Sequence, residues 1–113
     1  MKISKEFVFD AAHKLLWHKG NCQNLHGHTY KLVVTVEGQL NENGIVMDFG
    51  DLKKIVANEV ISKLDHKYLN DIFENPTAEN IVIWIWNQLK QELNLCEIKL
   101  WETPTSYVVY NGL

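Results

Sequence analysis

The sequence predicts an α+β domain: a four-stranded antiparallel sheet with two helices on one face, in the chain order strand, strand, helix, helix, strand, strand. Two observations carry that expectation. Residues 2–10, 28–37 and 96–103 alternate apolar and polar side chains with the period of two that half-buried strands require. Between them, 52–64 and 81–93 repeat apolar residues at helical spacing. No internal repeat intervenes, and 113 residues suit a single domain spanning 1–113.

In the first strand Ile3, Lys5, Phe7 and Phe9 face one way and Ser4, Glu6, Val8 and Asp10 the other. Residues 14–24 have no clean period and read as a loop, long enough to be functional; His18 reads there as a solvated imidazole. The second strand sets His28, Tyr30, Leu32, Val34 and Val36 on one face. A turn follows at 38–44, with Asn41, Asn43 and Gly44. Residues 45–49 read as a short extended piece, and Asp48 or Asp51 caps a helix with the stripe Leu52, Ile55, Val56, Val60 and Leu64. The pattern breaks at 65–70, which reads as a loop. Pro76 and Thr77 open the second helix, with Thr77 as N-cap and Glu79 against the dipole. Its stripe is Ile81, Val82, Ile85, Trp86, Leu89 and Leu93; Trp84 and Trp86 read as packing residues. Cys96, Ile98, Leu100 and Glu102 share a face of the third strand, and 106–110 form the fourth after a turn at Pro104. The other sheet face keeps Val33 and Thr35, too apolar to stay wet, so association with further copies is expected.

A formal charge of −3 without a lysine or arginine block argues against nucleic acid as a partner, because phosphate binding neutralises many charges. No opening signal and no membrane-spanning apolar run can be read, so a soluble, cytoplasmic protein with no membrane partner is expected. Cys22 lies in a polar loop and Cys96 in an apolar strand pattern, so a disulfide is the weaker reading.

The chemistry concentrates between Cys22 and Tyr30. In an extended chain His26 and His28 project from one side of the backbone, with only the hydrogen of Gly27 between them. If the strand ending near Ala11 and Ala12 lies beside the one beginning at His26, His13 completes a three-imidazole corner. Such a set suits Zn²⁺ and leaves a fourth tetrahedral position for water or substrate. The alternative is a closed site with Cys22 as fourth ligand, in a non-catalytic zinc-binding structural protein. That reading leaves the Asp65-His66 pair and Glu102 without a shared purpose. Glu102 points the same way as Ile98 and Leu100, where a carboxylate is costly unless paired.

The strings Phe9-Asp-Ala-Ala-His13, Cys22-x-x-x-His26-Gly-His28, Gly44-Ile-Val-Met-Asp48-Phe49, Leu64-Asp65-His66-x-x-Leu69-Asn70, Pro76-Thr77-x-Glu79-Asn80 and Trp101-Glu102-Thr103 run in order along the whole chain. Together they resemble the 6-pyruvoyl-tetrahydropterin synthase family, most nearly its bacterial 6-carboxy-5,6,7,8-tetrahydropterin synthases of queuosine biosynthesis. The resemblance implies the tunnelling fold and a homohexamer, two trimers stacked around a β-barrel, with active sites at subunit contacts. It implies Zn²⁺ on His13, His26 and His28, Cys22 as base, and Asp65 and His66 completing a proton relay. Glu102 would bind the 2-amino and ring N–H of a pterin, while Thr77 and Glu79 either support that edge or cap the helix. Cys96 matches no catalytic position. The implied lyase reaction converts 7,8-dihydroneopterin triphosphate to 6-carboxy-5,6,7,8-tetrahydropterin with loss of acetaldehyde and triphosphate. Lys14, Lys19 and Lys67 are candidates to grip the triphosphate. The runner-up product is 6-pyruvoyl-tetrahydropterin, of the biopterin branch; the three-residue gap between Cys22 and His26 favours the first, since the family's animal members carry a longer one. A pterin-binding module without chemistry would release no acetaldehyde.

Overall fold

A computed structural model describes residues 1–113. Strands β1 (Lys2–His13) and β2 (His26–Glu37) form an antiparallel pair in unbroken register, from Lys2 opposite Glu37 to His13 opposite His26. The first strand therefore runs past residue 10, because Ala11 and His13 continue the buried set begun by Phe9. Helix α1 (Phe49–Val56), a π-helical turn (Ala57–Ile61) and α2 (Ser62–Leu64) make one rod. After it come a two-residue strand β3 (Lys67–Tyr68), helix α3 (Ala78–Leu89) and strands β4 (Leu95–Thr103) and β5 (Ser106–Tyr110).

The sheet order is β3-β1-β2-β4-β5, with β3 parallel to β1 and every other pair antiparallel. This corrects the expected four-stranded antiparallel sheet: the sheet has five strands, is mixed, and is open within one chain. The added strand falls in the predicted loop at 65–70. Two residues cannot display an alternation, and what makes them a strand is pairing with Ala11 and Ala12. Residues 45–47 belong to no strand, with bends at 46 and 47, and Phe49 already belongs to α1.

The core lies between the helices and the sheet face carrying Phe9, Tyr30, Leu32, Val34, Ile98 and Leu100, all buried. The rod contributes Leu52, Val56, Val60 and Leu64, each fully buried. Steps of four residues overshoot an α-helical turn by about 40° each, and the π turn underwinds the backbone so that the stripe stays on the core. Asp48 caps α1 by accepting from Asp51 N–H, and Thr77 caps α3 by accepting from Asn80 N–H. Each cap is worth about 1 kcal/mol. Trp84 packs edge-on to Phe73 and half-buried Trp86 edge-on to Tyr110, as packing residues do.

The face without helices is partly covered by its own side chains. Thr35 is buried and shares a hydrogen bond with Ser4, while Lys31 lies over Trp101, which stacks on Tyr107. No helix is long and apolar enough to cross a membrane. Both cysteines are free.

Candidate active site

The pairing of His13 with His26 at the end of the β1–β2 ladder brings three imidazoles together on the helix-covered face. Their ring centroids lie 4.5 to 5.1 Å apart, and the three ligand nitrogens all fall within 4.8 Å of one another. His13 is fully buried and His28 is 16% exposed. His13 Nδ1–H donates to the Pro76 carbonyl at 2.8 Å and His26 Nδ1–H to the Asn24 carbonyl at 2.7 Å. A carbonyl only accepts, so each bond fixes the tautomer that leaves Nε2 as a bare lone pair. The Nε2 atoms of all three histidines are buried without a hydrogen-bond partner. Buried polar atoms left in that state cost about 1–3 kcal/mol each, and a divalent cation that favours nitrogen ligands satisfies all three. Burial lowers the pKa of His13 and of His28, outweighing the Pro76 carbonyl and then Glu102 at His13 and the Glu102 carboxylate at His28, which favours the neutral form that binds metal.

Glu102 stands beside this group, as its position on the apolar face of β4 requires. Its carboxylate oxygens lie 3.8 Å from His28 Nε2 and 4.0 Å from His13 Nε2. It does not converge with the His26 nitrogen, so it neighbours the centre rather than forming a fourth corner. Glu102 and Glu79 both line a cavity of about 210 Å³ between the start of α3 and the β4–β5 turn. Thr77 is engaged as the α3 cap. Beneath the imidazoles, buried Tyr30 packs edge-on to His13 and His28 and stacks on Phe9. Burial, then Glu102, pushes its phenol pKa up, so it stays protonated.

The second predicted cluster forms on the opposite face. Asp65 Oδ2 accepts from His66 Nδ1 at 3.0 Å, and Asp65 Oδ1 accepts from Asp10 N–H at 3.0 Å. These two bonds, the Asp10 one foremost, lower the Asp65 pKa. The Asp10 side chain, hydrogen-bonded by Thr29 Oγ1, joins them on the face away from the helices. His66 follows the end of the rod with φ of 59°, where glycine is usual. A non-glycine residue there is uncommon and motivates a functional reading. An open groove of about 580 Å³ runs over this face past Asp10, Gly27, Thr29, His66 and Tyr68. A Cβ on Gly27 would meet only the Ala11 carbonyl, at 3.6 Å, so packing does not require glycine there.

Cys22 sits in a single 3-10 turn (Asn21–Gln23), its carbonyl held by Leu15 N–H at 2.7 Å. The loop thus folds over the end of the hairpin that carries His13 and His26. Its sulfur is not among the converging ligand atoms, so the closed four-ligand site is not formed. His18 accepts from Gly20 N–H within the same loop and stands apart from the centre. Asp10, Tyr30, Asn70 and the Pro76 carbonyl escaped the sequence reading as parts of the site. Tyr30 shares its strand face with His28, and Asp10, Asn70 and Pro76 stand in the strings that carry the resemblance, but neither signal assigned them a role.

The chain matches the family described as 6-pyruvoyl tetrahydropterin synthase over residues 2–113. It is 43% identical to a 6-carboxy-5,6,7,8-tetrahydropterin synthase of Haemophilus influenzae, over 96% of this chain and 97% of that protein. It is 46% identical to a putative 6-carboxy-5,6,7,8-tetrahydropterin synthase of Archaeoglobus fulgidus, over 95% of this chain and 92% of that one. The solved structure of Caenorhabditis elegans 6-pyruvoyl tetrahydropterin synthase superimposes with a TM-score of 0.90 at 27% identity, covering 100% of this chain and 96% of that one.

Proposed function

This chain belongs to the 6-pyruvoyl tetrahydropterin synthase family, and from that premise we propose a specific reaction for it. It is a zinc-dependent lyase that converts 7,8-dihydroneopterin triphosphate and one water to 6-carboxy-5,6,7,8-tetrahydropterin, acetaldehyde and triphosphate on the route to queuosine; the water supplies the second carboxylate oxygen. The observation that carries the reading is the set of three buried, unpartnered Nε2 atoms meeting at one point. The substrate class comes from the names of the two relatives above.

His13, His26 and His28 would hold Zn²⁺, which when bound supplies Lewis acidity toward negative charge developing on the substrate's side-chain oxygens. Cys22 takes the proton from the adjacent side-chain carbon. Asp65 accepts a hydrogen bond from His66 Nδ1–H, which keeps that proton on the ring and leaves His66 Nε2 to exchange protons with that sulfur. The Glu102 carboxylate accepts two parallel hydrogen bonds from the 2-amino and ring N–H of the pterin. Glu79 supports the same edge across their shared cavity, and Thr77 holds the helix that carries it. The Asp65-His66 pair and the imidazoles face opposite sides of one hairpin, so a working site combines clusters from neighbouring copies. The homohexamer of stacked trimers supplies such contacts.

The test is incubation of the zinc-loaded protein with 7,8-dihydroneopterin triphosphate, followed by mass analysis. A 6-carboxylated pterin with acetaldehyde is the expected outcome. A 6-pyruvoyl product would select the second reading, the activity named for the nematode enzyme of like fold. Pterin binding without turnover would overturn both.

A further inference from the structure

The segment from Asp65 to Pro76 is laced along the edge of β1. Asp10 N–H donates to Asp65 Oδ1 and the Asp10 carbonyl accepts from His66 N–H; Ala11 and Ala12 then pair with Lys67 and Tyr68. At that point the backbone turns away into a 3-10 turn (Leu69–Asp71). The lacing nevertheless continues for one more rung, made by a side chain. Lys14 N–H donates to Asn70 Oδ1 at 2.9 Å, and Asn70 Nδ2 donates to the Lys14 carbonyl at 3.0 Å. A carboxamide offers the same donor and acceptor as a peptide group, so Asn70 stands in for the missing strand residue. The last tie is the Pro76 carbonyl, which accepts from His13 Nδ1.

We infer that Asn70 is a positioning residue for the imidazole centre: by gripping both backbone groups of Lys14, it fixes the peptide that carries His13 and so aims His13 Nε2 at those of His26 and His28. The inference rests on the reading of these imidazoles as a metal centre and extends it to a residue that touches neither metal nor substrate. His13 is the last residue of β1, and the next backbone tie beyond Lys14 is the one from Leu15 to Cys22 inside the loop. Without Asn70 the Lys14 backbone next to His13 loses both of these hydrogen bonds, and the nearest ties left beyond it are Leu15 to Cys22 in the loop and the Trp17 side chain to Asn75. The His13 ring then samples orientations in which Nε2 misses the common point.

The test is a zinc titration of the full-length protein against a competing chromophoric chelator, with metal-free melting curves for each variant. Trp17→Phe is the control: it removes the hydrogen bond from Trp17 Nε1 to Asn75 Oδ1, another tie between the same two segments, without touching the peptide beside His13. Asn70→Ala is expected to weaken zinc binding about tenfold, as loss of an outer support commonly does. Asn70→Asp keeps the acceptor for Lys14 N–H but sets an oxygen against the Lys14 carbonyl, so it weakens zinc binding as well. It carries the comparison if Asn70→Ala does not fold. Trp17→Phe leaves zinc affinity unchanged even where its melting temperature falls, and the tetrahedral visible absorption of the Co²⁺-loaded protein weakens only in the Asn70 variants. Wild-type affinity in both Asn70 variants, or an equal loss in Trp17→Phe, would overturn the positioning role and leave the metal centre standing. Failure of the wild type itself to take up zinc would overturn both.

Discussion

The cluster of His13, His26 and His28 stands on the helix-covered face of the β1–β2 pair, and the cluster of Asp10, Asp65 and His66 on the opposite face, where the segment leading into β3 joins β1; the two differ in burial and in hydrogen bonding. On the helix-covered face burial favours the neutral form of His13 and of His28, and two of the three imidazoles spend their one N–H on a carbonyl. What remains is three buried Nε2 atoms without a protein partner, those of His13 and His26 as bare lone pairs. On the open face His66 is 77% exposed and rests on a carboxylate that two hydrogen bonds keep charged. What remains there is an imidazole nitrogen open to solvent. The sheet's period of two assigns the chemistry, because neighbouring residues on β1 enter environments of different polarity.

The sharpest way to break this comparison is to remove a member of the buried set. His28→Ala is expected to abolish tight zinc uptake and turnover together, since two imidazoles leave the cation under-coordinated. Metal analysis after gel filtration checks it. The same exchange at His66, as His66→Ala, should lower turnover and leave zinc content at the wild-type level. Equal metal loss in both variants would mean that the two faces are not chemically separate.

Cys22→Ala comes next, with turnover falling about 10²- to 10⁴-fold at unchanged zinc content. Coexpression of Cys22→Ala with Asp65→Asn copies sharpens the geometry. If sites combine faces of neighbouring chains, mixed oligomers regain part of the turnover that either variant lacks alone. If each chain serves itself, they regain none. Glu102→Gln is expected to do less, about 10- to 100-fold in kcat/KM, because one charged acceptor is replaced by a neutral one while the metal ligands stay in place.

These expectations divide according to what the residues made legible. His26 and His28 could be placed on one side of the backbone, and Glu102 on the apolar side of its strand, because a period of two needs no knowledge of the partner strand. His13 could be included only on the condition that its strand lay beside the second, and the observed ladder meets that condition at its last rung. The carbonyls of Pro76 and Asn24 were invisible, since a backbone acceptor leaves no mark in residue identity. The short strand Lys67–Tyr68 was missed because two residues carry no pattern. With it went the finding that Asp65 and His66 stand on the far face, which the attachment to the β1 edge decides. Helix spacing was read correctly as far as Leu89; Leu93 is buried but lies in the turn beyond α3, and the π turn that keeps a strict four-residue stripe on the core was not read.

The smallest expected effect probes how the open-face carboxylate is held. Its pKa in the folded chain is below the ordinary value, first through the Asp10 N–H and then through His66, whereas in the unfolded chain it titrates near about 3.9. Above that pH both states are ionised, and the hydrogen bonds to the carboxylate stabilise the fold in full. As pH falls below it, the unfolded state takes up a proton first, so this stabilisation is lost progressively until the folded carboxylate is protonated too. Asp65→Asn should therefore melt at a lower temperature than wild type near neutral pH, and the two curves should draw together below about pH 4. The group is exposed, so the gap is small and shrinks with added salt. A gap of the same size at every pH would mean that Asp65 acts by shape alone, and the open face would then lose its claim to be the charged counterpart of the buried one.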